Sequence, residues 1–145
     1  MVPQEVLPLD EERVAAALGH RERYSDGAGR FLLQRPFGTV EVVVVGPPAA
    51  ALVLRCRWPR RISVAHQAHV RDVVDAFNRT SPGPALSLTV TDRGEIVVLA
   101  QCAPWLPAGV TESQLAGILA RAWVALPAAL ATMDHAFPDP FAAAS

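Results

Sequence analysis

The chain has 145 residues and a formal net charge of -1 at pH 7; 51% of its residues are hydrophobic and 19% are charged. This composition is typical of one compact soluble domain and excludes collagen-like, disordered and disulfide-scaffold proteins. All 13 basic residues are arginines, a bias that GC-rich codon usage explains without a functional role.

The first helix is predicted over residues 10–18. Asp10 is a good N-cap, acidic residues follow it at the positive end of the helix dipole, and Gly19 suits a helix end. Beyond the helix, apolar and polar residues alternate with a period of two, which is typical of strands. The strands are predicted over residues 31–34, 39–45 and 51–58, with turns at 36–38 and 46–48.

The second helix is predicted from an N-cap at Ser63 to about Thr80, with one apolar stripe at residues 70, 73, 74 and 77. Two further strands, 85–91 and 95–102, form the clearest hairpin because a turn signal at 92–94 separates them. Thr111 and Gln114 form a capping box for a third helix that continues to Phe137. Pro127 interrupts this helix, and we expect a kink there rather than an end.

The predicted order is αβββαββα, without an internal repeat. Short hairpin links favour an α+β fold with a single antiparallel sheet packed with helices. We expect one domain over residues 1–137 and a flexible C-terminal tail over residues 138–145.

No stretch approaches the roughly 20 consecutive apolar residues of a membrane span, and the N-terminus lacks the pattern of a secretory signal. We therefore expect a cytoplasmic protein without a membrane partner. Cys56 and Cys102 stand alone in alternating apolar segments, as buried thiols do, and a disulfide between them is not expected in a reducing compartment.

Two predicted strands are apolar on both faces. In the strand 39–45, valines occupy both odd and even positions and therefore both faces, and the apolar residues 96–99 do the same. Either a helix or another chain is therefore expected to cover the second face. Arg55 and Arg57 point to that second face, toward Glu41 or solvent. The candidate partner-binding residues are Val43, Val45, Arg55, Arg57, Val97 and Leu99.

Recognisable catalytic motifs are absent from the sequence, and we expect no catalytic residue, no metal and no cofactor. His66 and His69 are three residues apart, a spacing that could present two imidazoles to a metal. His66 falls on the predicted apolar stripe and His69 at its edge, and a third ligand is not identifiable nearby. Packed or rim histidines are the better interpretation.

The densest basic cluster lies at residues 55–61, where four arginines surround Trp58. Such a cluster could bind RNA, with the indole stacking on a base. Strand parity instead directs Trp58 to the core, and the net charge provides no general basic field. Nucleic acid is therefore not an expected partner.

Four short motifs, in order along most of the chain, carry a resemblance to a known family. They are Leu18-Gly19 with Tyr24-Ser-Asp-Gly27, Leu54-Arg-Cys-Arg-Trp58, Phe77-Asn-Arg-Thr80 and Gly109-Val-Thr-Glu-Ser-Gln-Leu115. The chain resembles the actinobacterial YbjN domain proteins, also labelled sensory transduction regulators. The resemblance implies a type III secretion chaperone-like fold and supplies no catalytic residues. Relatives with that fold typically act as small, often dimeric cytosolic chaperones that hold a partially extended protein segment.

Two functions are compatible with these observations. The first is a noncatalytic cytosolic, chaperone-like regulatory domain that binds a protein partner or a second copy of itself through the sheet face. The alternative is a regulatory domain that senses a small ligand in a pocket between helix and sheet, near Cys102 and Trp105.

Overall fold

The computed structural model describes residues 5–19, 23–46 and 50–138, and within these ranges the chain forms three α-helices and seven strands. The elements in chain order are α1 Glu11–Leu18, β1 Arg23–Ser25, β2 Arg30–Arg35, β3 Gly38–Val45, β4 Ala51–Arg57, β5 Ile62–Ser63, α2 Gln67–Thr80, β6 Ala85–Val90, β7 Glu95–Cys102 and α3 Glu112–Ala136. A short 3-10 turn, Val64–His66, precedes α2.

All seven strands belong to one antiparallel sheet, which confirms the predicted α+β class. The strand order is β1-β2-β3-β4-β7. The first edge of β7 pairs with β4 and, further along, with β5, while its second edge pairs with β6.

The sheet contains two strands more than predicted. β1 and β5 have three and two residues, which is too short for an alternating pattern to be visible. The predicted cap of α2 was also wrong. The Ser63 hydroxyl accepts from the amide of Ala65 and caps the 3-10 turn, so α2 begins four residues later than Ser63.

The caps of the other two helices are as predicted. The Asp10 carboxylate accepts from the amide of Arg13, 2.8 Å away, at the start of α1. At the start of α3, Gln114 N lies 3.0 Å from Thr111 Oγ1, and Thr111 N lies 2.9 Å from Gln114 Oε1. α3 continues through Pro127 to Ala136, so the proline does not end the helix.

The core lies on one side of the sheet. Inward residues of the central strands are fully buried, as Val42, Leu54 and Val98 are at 0% exposure. The buried stripe of α3 packs against the same core and consists of Leu115, Leu119, Ala122, Leu126, Ala129, Leu130 and Met133. Val14 of α1, and Val70 and Val74 of α2, join it.

α3 is long and apolar enough to cross a membrane by length and composition, with a mean hydropathy of 1.6 over 18 residues. The sequence criterion of uninterrupted apolar residues had missed this property. About 33% of that stretch is buried in the fold, where α3 packs one apolar stripe against the core.

Some predictions concern residues outside the described part of the chain. They are the flexible tail, of which residues 139–145 are not described, and two residues of the 46–48 turn. The domain boundary at residue 137 stays a prediction.

Candidate functional site

The sheet face opposite the helices is the candidate functional site. We call it the open face, and it comprises the outward side chains of β2, β3, β4 and β7. Along β3, for example, buried Val40 and Val42 alternate with half-buried Glu41 and Val43. The helices and the inward side chains of the sheet form the core together, and the outward apolar side chains do not pack against it. In the described part of the chain, therefore, no helix packs on the open face.

All six predicted partner-binding residues lie on the open face. Val43 and Val45 lie on β3 and are half-buried, as are Val97 and Leu99 on β7. On β4 between these strands, Arg55 is half-buried and Arg57 is exposed.

An ionic triad crosses the middle of the open face. Strand register sets Glu41 directly across from Arg55. Glu41 Oε2 accepts from Nε of Arg30 at 2.6 Å, and its Oε1 lies 2.5 Å from Nε of Arg55. The Arg55 contact is an ion pair outside hydrogen-bond geometry. In this triad of Arg30, Glu41 and Arg55, both carboxylate oxygens of Glu41 are therefore engaged by arginine.

The triad divides the apolar surface into two parts. On one side, Val43 pairs with Val53, and Val45 pairs with Ala51. On the other side, Arg57 pairs with Leu99. The six predicted residues therefore share a face without forming one continuous apolar patch.

A cleft of about 620 Å³ lies beside the triad. Its charged walls are Glu41, Arg55 and Arg57, and its apolar walls include Leu32, Phe37, Pro59 and Leu99. Sequence reasoning missed Leu32, Phe37 and Pro59 as site residues. The alternation of β2 could have placed Leu32 on the outward face. Only the strand register shows which residues of the neighbouring strands lie beside it.

The two histidines do not occupy the predicted apolar stripe. His66 is exposed at the N-cap of α2, which corrects its placement. His69 is exposed as well, and its ring packs against Phe137 with centroids 4.6 Å apart. Within the described residues, three or more potential metal ligands do not converge anywhere.

Both cysteines are free thiols that line the core side of the sheet, Cys56 fully buried and Cys102 partly buried. Burial raises the pKa of both thiols above its ordinary value, because the apolar surroundings disfavour the thiolate. At neutral pH both are therefore protonated and poor nucleophiles.

The basic cluster at residues 55–61 is distributed over several contacts. Trp58 is 1% exposed, as its strand parity predicted, and its Nε1 donates to Asp134 Oδ1 at 2.8 Å. Arg60 stacks over the Trp58 ring at 5.0 Å and donates to the carbonyl of Phe137. Because the indole is buried, it is not available to stack on a base.

Two further cavities lie between elements. One of about 530 Å³ is bounded by Cys102, Pro104, Ile118 and Arg121, between the end of β7 and α3. Trp105, expected nearby, does not line it and is 69% exposed.

The other cavity, of about 700 Å³, lies between α1 and the start of α3. Arg13 at its wall donates to the carbonyls of Leu7, Pro8 and Val110. Its guanidinium is engaged in joining the N-terminal segment to the start of α3.

The fold is that of a solved structure. The crystal structure of YbjN from E. coli, described as a candidate transcription regulator, matches with a TM-score of 0.70 and covers 91% of this chain and 96% of that one. Sequence identity is 11%, so the likeness shows the fold. No protein-family model matches the chain, and no curated protein matches it in sequence. The YbjN-like fold implied by the sequence motifs is confirmed.

Proposed function

We propose that the protein is a noncatalytic, cytosolic regulatory domain that binds a protein partner, or a second copy of itself, through the open face. The observation that carries the proposal is a central sheet covered by helices on one side only, with Val43, Val53 and Leu99 on the other. Exposed apolar surface, which lies here in two parts on either side of the triad, marks interaction sites.

The chemistry of the open face suits an interface. Its apolar side chains are half-buried, so a partner could remove further apolar area from water at about 25 cal/mol per Å². A specific interface buries about 800 Å² on each partner, an area that four strands of six to eight residues can provide. The ionic triad would fix the partner's orientation, as charged groups at interfaces do.

The positions of the reactive side chains support a noncatalytic role. Both thiols have raised pKa values and lie on the core side. His69 packs against Phe137 and is separated from the cleft by the sheet.

Charge substitutions on the open face test the proposal. We expect wild-type protein either to be a dimer by light scattering or to retain a protein in a pull-down from the source cells. Val43→Glu and Leu99→Glu should each abolish that interaction, because a carboxylate would be desolvated in the interface.

Val124→Glu is the matched control, since Val124 is 72% exposed on α3, on the helix side of the molecule. It should leave the interaction unchanged. Two results together would contradict the proposal: the wild type is strictly monomeric, and the wild type and the open-face variants capture the same proteins in the pull-down.

Small-ligand sensing is a second candidate, favoured by the cavity beside Cys102. Its volume of about 530 Å³ lies within the usual range of ligand pockets. A thermal-shift screen discriminates between the candidates, because a ligand at 100 times its dissociation constant would stabilise the fold by about 2.7 kcal/mol. Stabilisation that is lost in Ile118→Trp, which fills this cavity, would favour sensing over protein binding.

A further inference from the structure

We propose that the cleft beside the triad binds an extended acidic segment of the partner protein, with one carboxylate between two apolar side chains. We call it the arginine cleft and define it by Leu32, Glu41, Arg55, Arg57 and Leu99. The inference rests on the proposed function and names the chemistry of the partner.

Charge complementarity identifies the acidic partner. Across β2, β3 and β4 the open face carries Arg30, Arg55 and Arg57 but a single carboxylate, Glu41. Their outward neighbours Gln34, Thr39 and Gln101 are neutral. The outward carboxylate of β7, Glu95, lies 3.9 Å from Arg61. Although the whole chain has a net charge of -1, this surface is locally positive and favours an anionic group.

Arg57 is the residue available to a ligand. Arg30 and Arg55 both pair with Glu41, whereas no carboxylate of the described residues pairs with Arg57. Its side chain is exposed at the wall of the cleft. A guanidinium in this position offers the paired donors that bind a carboxylate in a bidentate manner.

The apolar walls set the spacing of the bound segment. Leu32 on β2 and Leu99 on β7 are three strands apart and offset by two residues in register, which places them roughly 16 Å apart at about 4.8 Å per strand and 3.3 Å per residue. Residues i and i+4 of an extended segment span about 13 Å and point to the same side, as does residue i+2 between them. Leucine side chains at i and i+4 reach across the remaining few ångströms, so the cleft fits the pattern apolar-x-Glu-x-apolar, with the carboxylate directed to Arg57.

A peptide probe tests this spacing and charge. The probe is an acetylated, amidated peptide, Ser-Leu-Thr-Glu-Thr-Leu-Ser, titrated into labelled protein in low salt and followed by NMR. We expect saturable amide shifts at Leu32, Arg57 and Leu99. Versions with Gln or Lys in place of Glu, and a scrambled Ser-Leu-Thr-Thr-Glu-Leu-Ser, should bind at least about fivefold more weakly.

A matched pair of variants assigns the effect to Arg57. Arg57→Gln should weaken binding of the acidic peptide about tenfold, the loss expected for a hydrogen bond between charged groups. Arg93→Gln, which changes an exposed arginine at the β6–β7 turn, should leave it unchanged. Equal binding of the Glu and Lys peptides, or an unaltered affinity of Arg57→Gln, would overturn the inference.

Two outcomes separate this inference from the proposed function. If all peptides bind the open face equally, the acidic preference is wrong and protein binding there stands. If a ten-residue oligothymidine binds the cleft more tightly than the Glu peptide, the ligand is a nucleic acid and the inference fails. Failure of every peptide to bind also overturns it, while the light-scattering and pull-down comparison still decides the proposed function.

Discussion

At the scale of single residues, Trp58 joins the sheet to the end of α3. Its indole is buried, its Nε1 donates to Asp134, and its ring lies 6.3 Å from that of Phe137. The alternation of the strand predicted that Trp58 points inward. It could not predict Asp134 as its partner, because the two residues are 76 positions apart.

Removal of the Asp134 carboxylate should destabilise the fold. Asp134→Ala leaves the buried indole N–H without its acceptor, which costs about 1–3 kcal/mol. Asp134→Asn keeps an oxygen acceptor at the same position and should cost less than half as much. Urea denaturation measures both values, and equal stability of wild type and the alanine variant would contradict the account.

At the scale of elements, β6 is an edge strand that α2 protects at one position. The side-chain amide of Asn78 accepts from the amide of Leu86 at 2.8 Å and donates to its carbonyl at 2.9 Å. The Asn78 side chain thus makes the two backbone hydrogen bonds with Leu86 that a neighbouring strand would otherwise make on the outer edge of β6. Edges left unpaired are sites of unwanted association.

Asn78→Ala tests this edge contact. The substitution leaves both backbone groups of Leu86 to water, and we expect a loss of about 1 kcal/mol in the free energy of unfolding. Asp75→Ala, an exposed change one turn earlier on α2, should stay within about 0.5 kcal/mol of wild type. Equal effects of the two substitutions would exclude a specific role for Asn78.

Periodicity predicted the elements that are long enough to show it. The two hairpins β2–β3 and β6–β7, the end of α2 near Thr80, and the capping box of α3 follow from patterns within a few residues. β1 and β5 did not, because they are too short to show a pattern and are held by pairing, β1 with the following strand β2 and β5 with the distant strand β7.

The candidate site was predictable in part. Parity assigned Arg55, Arg57 and Leu99 to one face before any register was known. The arginine cleft depends on the pairing of Glu41 with Arg55, which the sequence offered as one of two possibilities, and on that of Arg57 with Leu99. The second pairing joins strands far apart in sequence, and such a register cannot be read from one chain. The split of the apolar surface by the triad is a consequence of the same pairings.

At the scale of the whole molecule, the helices add their buried residues to one core, and the sheet has two unequal faces. Inward Val40 and Val42 are fully buried, whereas their outward neighbours Glu41 and Val43 are half-buried. The valine run of β3 therefore serves two purposes: one parity stabilises the fold and the other faces the surface that we propose for a partner.

Thermal unfolding of two adjacent variants tests this central claim most directly. Val42→Glu places a charge at a position of 0% exposure, and we expect it not to fold. Val43→Glu places the same charge on the open face, directly across from Arg30, and should unfold within a few degrees of wild type. Loss of folding in both variants would contradict an open face.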